Sequence, residues 1–188
     1  VMIRLGILGS TRGTNMLAII DAIQQRDLTA TIEIVISNKA DAVILERAAT
    51  YGLPARFIDP KGLTREAYDA KLSAVLRQCS VDLVVLTGFM RILSADFIAE
   101  WKHKIINVHP SLLPAFAGKM DMEVHRAVVE SGVSETGCTV HYVTEEVDAG
   151  PVILQKKCPV LAGDTPESVK ARVQQLESRA LVEAIRLL

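Results

Sequence analysis

The chain has 188 residues, of which 49% are apolar and 23% charged, and its formal net charge is −1. That length can bury one sizeable core. The near-neutral balance removes any general electrostatic attraction to nucleic acid or to an acidic membrane.

Short β-branched runs alternate with longer helical patterns. Residues 2–8 read as a strand and 15–25 as a helix. A strand is expected at 32–37, then a helix over 40–52 that Gly52 ends. Residues 55–58 form a short strand and 64–79 a helix. "DLVVLTG" (82–88) is continuously apolar, as in a sheet covered on both faces. Ser94 caps a helix over 94–102, and "IINVH" (105–109) is the next strand. This order predicts an α/β fold with a doubly wound, mostly parallel sheet. The second half changes character. Residues 137–160 read as two strands joined by an acidic turn, an antiparallel addition. A final helix covers 165–188, with Thr165 as cap and Pro166 at its first position. No repeat or linker interrupts the chain, so a single domain over 1–188 is expected.

Other classes are disfavoured. Aromatics, at 4%, are too few for a base-stacking platform. No apolar run reaches the ~18 residues that span a bilayer. Cys79, Cys138 and Cys158 have no metal-ligand spacing and read as free thiols in a reducing compartment. The first strand starts at residue 2 and leaves no room for a signal peptide, so a cytoplasmic protein is expected.

Three places carry chemistry. "GSTRGTN" (9–15) lies between the first strand and the first helix, where unpaired helix N–H groups can meet an anion. Its glycine spacing is neither a dinucleotide fingerprint nor a P-loop. An ordinary turn capped by Thr14 or Asn15 is the alternative. Asn107 and His109 are two apart on a strand and share a face, and Pro110 stops the ladder beside them. Strand C-termini are where open α/β sheets bind ligands. An amide can donate to an oxyanion and an imidazole can move a proton, although both could equally cap nearby backbone. In "TEEVDAG" (144–150), Asp148 is either a turn former or a catalytic carboxylate. His125 and His141 fall within elements and read as structural. No group of residues has metal-binding spacing.

These segments, together with "SNKADAVILERA" (37–48), "GFMRILS" (88–94), "INVHPSLLPAF" (106–116) and "GCTVHYVTEEVDAGPVILQ" (137–155), resemble the phosphoribosylglycinamide formyltransferases. Those are the folate-dependent formyltransferases of purine synthesis, and the resemblance covers essentially the whole chain. It implies a Rossmann-like fold, with a phosphate-binding N-terminal half and a folate-binding, catalytic C-terminal half. It also implies transfer of the formyl group of 10-formyltetrahydrofolate to glycinamide ribonucleotide through a tetrahedral intermediate.

The catalytic trio would be Asn107, His109 and Asp148, with Asn107 and a protonated His109 stabilising the oxyanion. Gly13, Thr14 and Asn15 would hold the substrate phosphate. Gln174 and Glu177 would contact its ribose. Met90, Arg91, Ile92 and Leu93 would wall the folate pocket, with Val143, Thr144, Glu145 and Val147 on the facing loop and Arg65 as a further folate contact. The folate is a co-substrate, and no metal is implied. The partners would be small molecules rather than nucleic acid or membrane, with a homodimer left open.

The chain departs from the usual family pattern at "FAGKMDMEVH". Ala117 stands where a proline precedes Gly118, and the stretch from Gly118 to Asp148 is a few residues longer. The resemblance also makes a cis Leu113–Pro114 bond an expectation. Other formyl-folate enzymes and a non-catalytic domain of the same fold are the rival readings.

Overall fold

The computed structural model describes residues 2–188. The chain forms two compact units, the first ending at Ile106 and the second running Asn107–Leu188. The first unit carries β1 (Ile3–Leu8), α1 (Thr14–Gln24), β2 (Ala30–Ser37), α2 (Val43–Thr50), β3 (Ala55–Phe57), α3 (Arg65–Gln78), β4 (Leu83–Leu86) and α4 (Ala95–Glu100). Strand β5 (Ile105–His109) follows. Here β1 pairs in parallel with β2 and β4, β2 with β3, and β4 with the start of β5. The strand order is β3-β2-β1-β4-β5-β6-β7, with the last two defined below. The chain thus winds outward from β1 to β3 and then restarts at β4 on the other side of β1. That reversal leaves a crevice at the strands' carboxyl ends.

Local chemistry accounts for most of these elements. All four residues of β4 are buried, as its unbroken apolar run requires. The expected cap of α4 is present, with Ser94 Oγ accepting the Phe97 N–H at 3.2 Å. Thr64 does the same for α3 through the Ala67 N–H at 3.1 Å, and such a cap contributes about 1 kcal/mol. Gly52, at φ 67°, ends α2 as expected. Burial of Leu5, Ile7, Ile19, Ile36, Leu72 and Leu76 builds this unit's core, at about 1.5–3 kcal/mol for each side chain.

The start of α1 differs from expectation. Gly13, at φ 64° and ψ 38°, is the cap, and Thr14 and Asn15 lie inside the helix. The reason is packing. A Cβ on Gly13 would sit 2.4 Å from Ile44 Cγ1, so both the space and the left-handed backbone select glycine.

The second unit carries α5 (Met122–Ser131), β6 (Glu135–Tyr142), β7 (Val152–Pro159) and α6 (Pro166–Leu187). Strands β6 and β7 pair antiparallel, as the sequence predicts. Thr165 and Ser168 cap α6 reciprocally, with Pro166 at the first helical position. Val169, Val173, Ala180, Leu181, Ala184 and Ile185 recur at helical spacing along α6 and are fully buried. Val124 and Val128 of α5 and Cys138 and Val140 of β6 are also fully buried in this unit. Among the described residues no helix is long and apolar enough to cross a membrane.

Candidate active site

Strand β5 ends with Asn107 half-buried and His109 only 4% exposed. Asp148, which the sequence places beyond β6, comes to His109: its Oδ1 lies 3.4 Å from His109 Nδ1, an ion-pair distance. The other ring nitrogen, Nε2, is 3.3 Å from the carbonyl oxygen of Phe116. A carbonyl can only accept, so a hydrogen bond there requires hydrogen on Nε2. Nδ1 then faces a carboxylate, and a second proton there would satisfy both contacts. Burial works against that charge. It is the largest influence and holds His109 below the usual imidazole range, while Asp148 and the Phe116 carbonyl pull it back up. Burial thus opposes the imidazolium that the family resemblance implies.

The loop after β5 is fixed by side chains of the two antiparallel strands. Thr139 Oγ1 donates to Ser111 O at 2.7 Å and accepts from Leu113 N–H at 3.0 Å and Gln155 Nε2 at 2.9 Å. Gln155 Nε2 also donates to Leu113 O at 3.0 Å. The hydroxyl thus uses its full capacity, one donor and two lone pairs. The Leu113–Pro114 bond is cis, as expected.

Asp148 adopts φ 54°, a left-handed conformation that Asp tolerates better than most residues. Its Oδ2 accepts the Gly118 N–H at 2.9 Å. Two residues on, a Cβ at Gly150 would lie 1.8 Å from Tyr142 O, so only glycine lets the loop return there. Among the other loop residues, Val143 and Thr144 are half-buried and Glu145 and Val147 are exposed.

On α6, Gln174 is exposed and Glu177 half-buried, and their spacing of three puts them on one face. Desolvation pushes the Glu177 carboxyl up to about 7, with Lys170 opposing and Asp121 adding to the shift. Lys170 Nζ in turn pairs with Asp121 Oδ1 at 2.8 Å. His125 and His141 are both buried, and His141 Nδ1 lies 3.0 Å from the Tyr142 carbonyl, in keeping with structural roles. Cys138 is fully buried and its thiol is pushed up to about 12 by burial, so it is inert packing.

In the first unit, Gly13, Thr14 and Asn15 form the cap and first turn of α1, with Leu17 N–H to Gly13 O (3.3 Å) as the first helical bond. The first turn of a helix directs N–H groups outward. Arg65 is exposed at the start of α3. Met90 and Ile92 are 49% and 58% exposed while Leu93 is buried. The guanidinium of Arg91 lies 4.2 Å over the Tyr68 ring.

The structure thus brings Asp148 to His109, two residues along β5 from Asn107, within one unit. The sequence reading missed Phe116 O and Gly118 N–H as partners of this group. Both are backbone atoms, and residue type gives no signal for them.

The model of the formyl transferase family matches residues 3–185. This chain belongs to that family. The formyl transferase from Escherichia coli named phosphoribosylglycinamide formyltransferase is 45% identical over 172 residues, 91% of this chain and 80% of that protein. Glycinamide ribonucleotide transformylase 1 from Symbiobacterium toebii superposes with a TM-score of 0.93 at 45% identity, covering 99% of this chain and 87% of the other. The trifunctional purine biosynthetic protein adenosine-3 of Gallus gallus is 45% identical over 186 residues, 98% of this chain. This formyl transferase chain spans 18% of the length of that trifunctional relative.

Proposed function

We propose that this domain transfers the formyl group of 10-formyltetrahydrofolate to the amine of glycinamide ribonucleotide, yielding formylglycinamide ribonucleotide and tetrahydrofolate in de novo purine biosynthesis. The observation that carries the reading is the His109–Asp148 pair beside Asn107 at the end of β5. Amine attack on a formyl amide needs an oxyanion site and a route for a proton, and this group offers both. The exposed apolar side chains of Met90 and Ile92 suit a flat ring that needs apolar walls and backbone hydrogen bonds. The folate, when bound, supplies the formyl group.

Asn107 donates its amide N–H to the developing oxyanion. His109, held at Nδ1 by Asp148, donates there too through Nε2–H, which leaves the Phe116 carbonyl once the oxyanion raises the ring's proton affinity. Asp148 keeps the imidazole oriented through Nδ1 and assists transfer of the amine's proton to the folate nitrogen that leaves. Gly13, Thr14 and Asn15 receive the ribonucleotide phosphate at the start of α1. Gln174 and Glu177 hold the ribose. Arg65, Arg91 and Leu93, with Val143, Thr144, Glu145 and Val147, complete the folate contacts.

The test mixes the purified chain with 10-formyltetrahydrofolate and glycinamide ribonucleotide and follows loss of the formyl folate. Consumption that requires the ribonucleotide supports the reading. Consumption independent of it points to a hydrolase, and no consumption refutes both.

A further inference from the structure

The first unit holds two loops that the proposed reaction assigns to different substrates. Residues 9–13, after β1, lead into Gly13, Thr14 and Asn15, which receive the ribonucleotide phosphate, and residues 87–93, after β4, carry Met90 to Leu93 of the folate wall. Because β1 and β4 are neighbours at the reversal of strand order, the two loops leave the sheet side by side. Ser10 is 3% exposed and joins them. Its Oγ accepts the Met90 N–H at 2.8 Å and donates to Asn38 Oδ1 at 2.5 Å. Its own N–H donates to Gly88 O at 3.1 Å. On the other flank, Ile44 N–H donates to Thr11 O and Arg47 Nη1 to Arg12 O, each at 2.9 Å. The path from Met90 N–H through the Ser10 hydroxyl to Asn38 has one direction, and each bond polarises the next.

We propose that Ser10 is a positioning residue that couples the two substrate subsites, so that filling one orders the loop of the other. This inference rests on the formyl-transfer reading above. A ligand that stills residues 9–13 also stills the oxygen to which the Met90 N–H is tied. The ordering cost is then met largely by whichever ligand binds first, and the second binds more tightly. By linkage the effect is the same in both directions. A side chain that only filled space at position 10 would support the fold without linking the two affinities.

The test uses the full chain and two ligands, glycinamide ribonucleotide and a non-reactive 10-formyl folate analogue, each titrated calorimetrically alone and with the other saturating. In the native chain each ligand is expected to tighten the other by about fivefold or more. In Ser10→Ala the ratio falls towards one. Asn38→Leu, which removes the acceptor of the Ser10 hydroxyl, does the same. Asn38→Asp, which keeps an acceptor oxygen, retains the ratio. Should Ser10→Ala fail to fold, the Asn38 pair decides. A native ratio near one, or a ratio unchanged in Ser10→Ala or Asn38→Leu, overturns the coupling. Failure of the native chain to bind either ligand instead refutes the formyl-transfer reading, and this inference falls with it.

Discussion

Glu177→Gln is expected to stabilise the protein in alkaline solution while impairing its reaction. The carboxyl is displaced from its ordinary 4.5 to about 7, chiefly by desolvation. A carboxyl raised in the folded state contributes stability that is intact below its unfolded value and is lost as pH rises through about 7. A displacement of that size corresponds to about 3 kcal/mol when ionisation is complete. Part of the side chain remains in solvent, which screens the charge and reduces the expected effect to about 1–2 kcal/mol. Glutamine keeps the shape and removes the ionisation. Urea unfolding near pH 4 should give nearly equal stabilities for native and variant, whereas near pH 8.5 the variant should gain about 1–2 kcal/mol with an unchanged m value. A gain of the same size at both pH values, or a loss at the higher one, would refute the desolvation argument. The same variant should raise the KM for the ribonucleotide, an exchange of function for stability.

Four further outcomes are expected. Asn107→Ala should lower kcat by about 10² to 10³, the scale for one oxyanion donor, and near-normal turnover would remove Asn107 from the mechanism. Asp148→Asn should lower kcat with little change in folate affinity; a titration showing selective loss of folate binding would contradict the role assigned to the carboxylate. Gly13→Ala places a Cβ 2.4 Å from Ile44 Cγ1 at φ 64° and should cost about 2–4 kcal/mol by denaturant unfolding, partly recovered in an Ile44→Ala background. Burial depresses both His109 and His125, so their contribution to stability is present above the ordinary histidine value of 6.5 and is lost as pH falls below it. His125→Gln should flatten that acid limb in thermal unfolding, and an unaltered limb would assign it elsewhere.

The elements of the first unit were readable because their causes are local. The run of β4, the caps at Thr64 and Ser94 and the stop at Gly52 each depend on a few consecutive residues. The candidate site was readable where side chains mark it, as at Asn107 and His109, whose alternation fixes a shared face. What stayed hidden depends on partners distant in sequence. Gly13 is selected by the packing of Ile44, so the cap falls there and not on Thr14 or Asn15, the alternative that residue type offers. Ser10 meets Met90 across 80 positions. The raised carboxyl of Glu177 follows from the desolvation around α6, which the helix's own sequence does not express.

The hydrogen bond from Gly118 to Asp148 bears on how much this segment can vary. What the carboxylate requires there is an amide hydrogen, and every residue but proline provides one. A proline at position 117 would leave the amide of the residue that follows in place, as Ala117 does. The side chains from Lys119 to Asp121 take no part in the bond either. Substitutions around "AGKMD" can therefore accumulate over generations while the oxygen beside them stays anchored, provided the backbone at 118 keeps its left-handed turn of φ 79°.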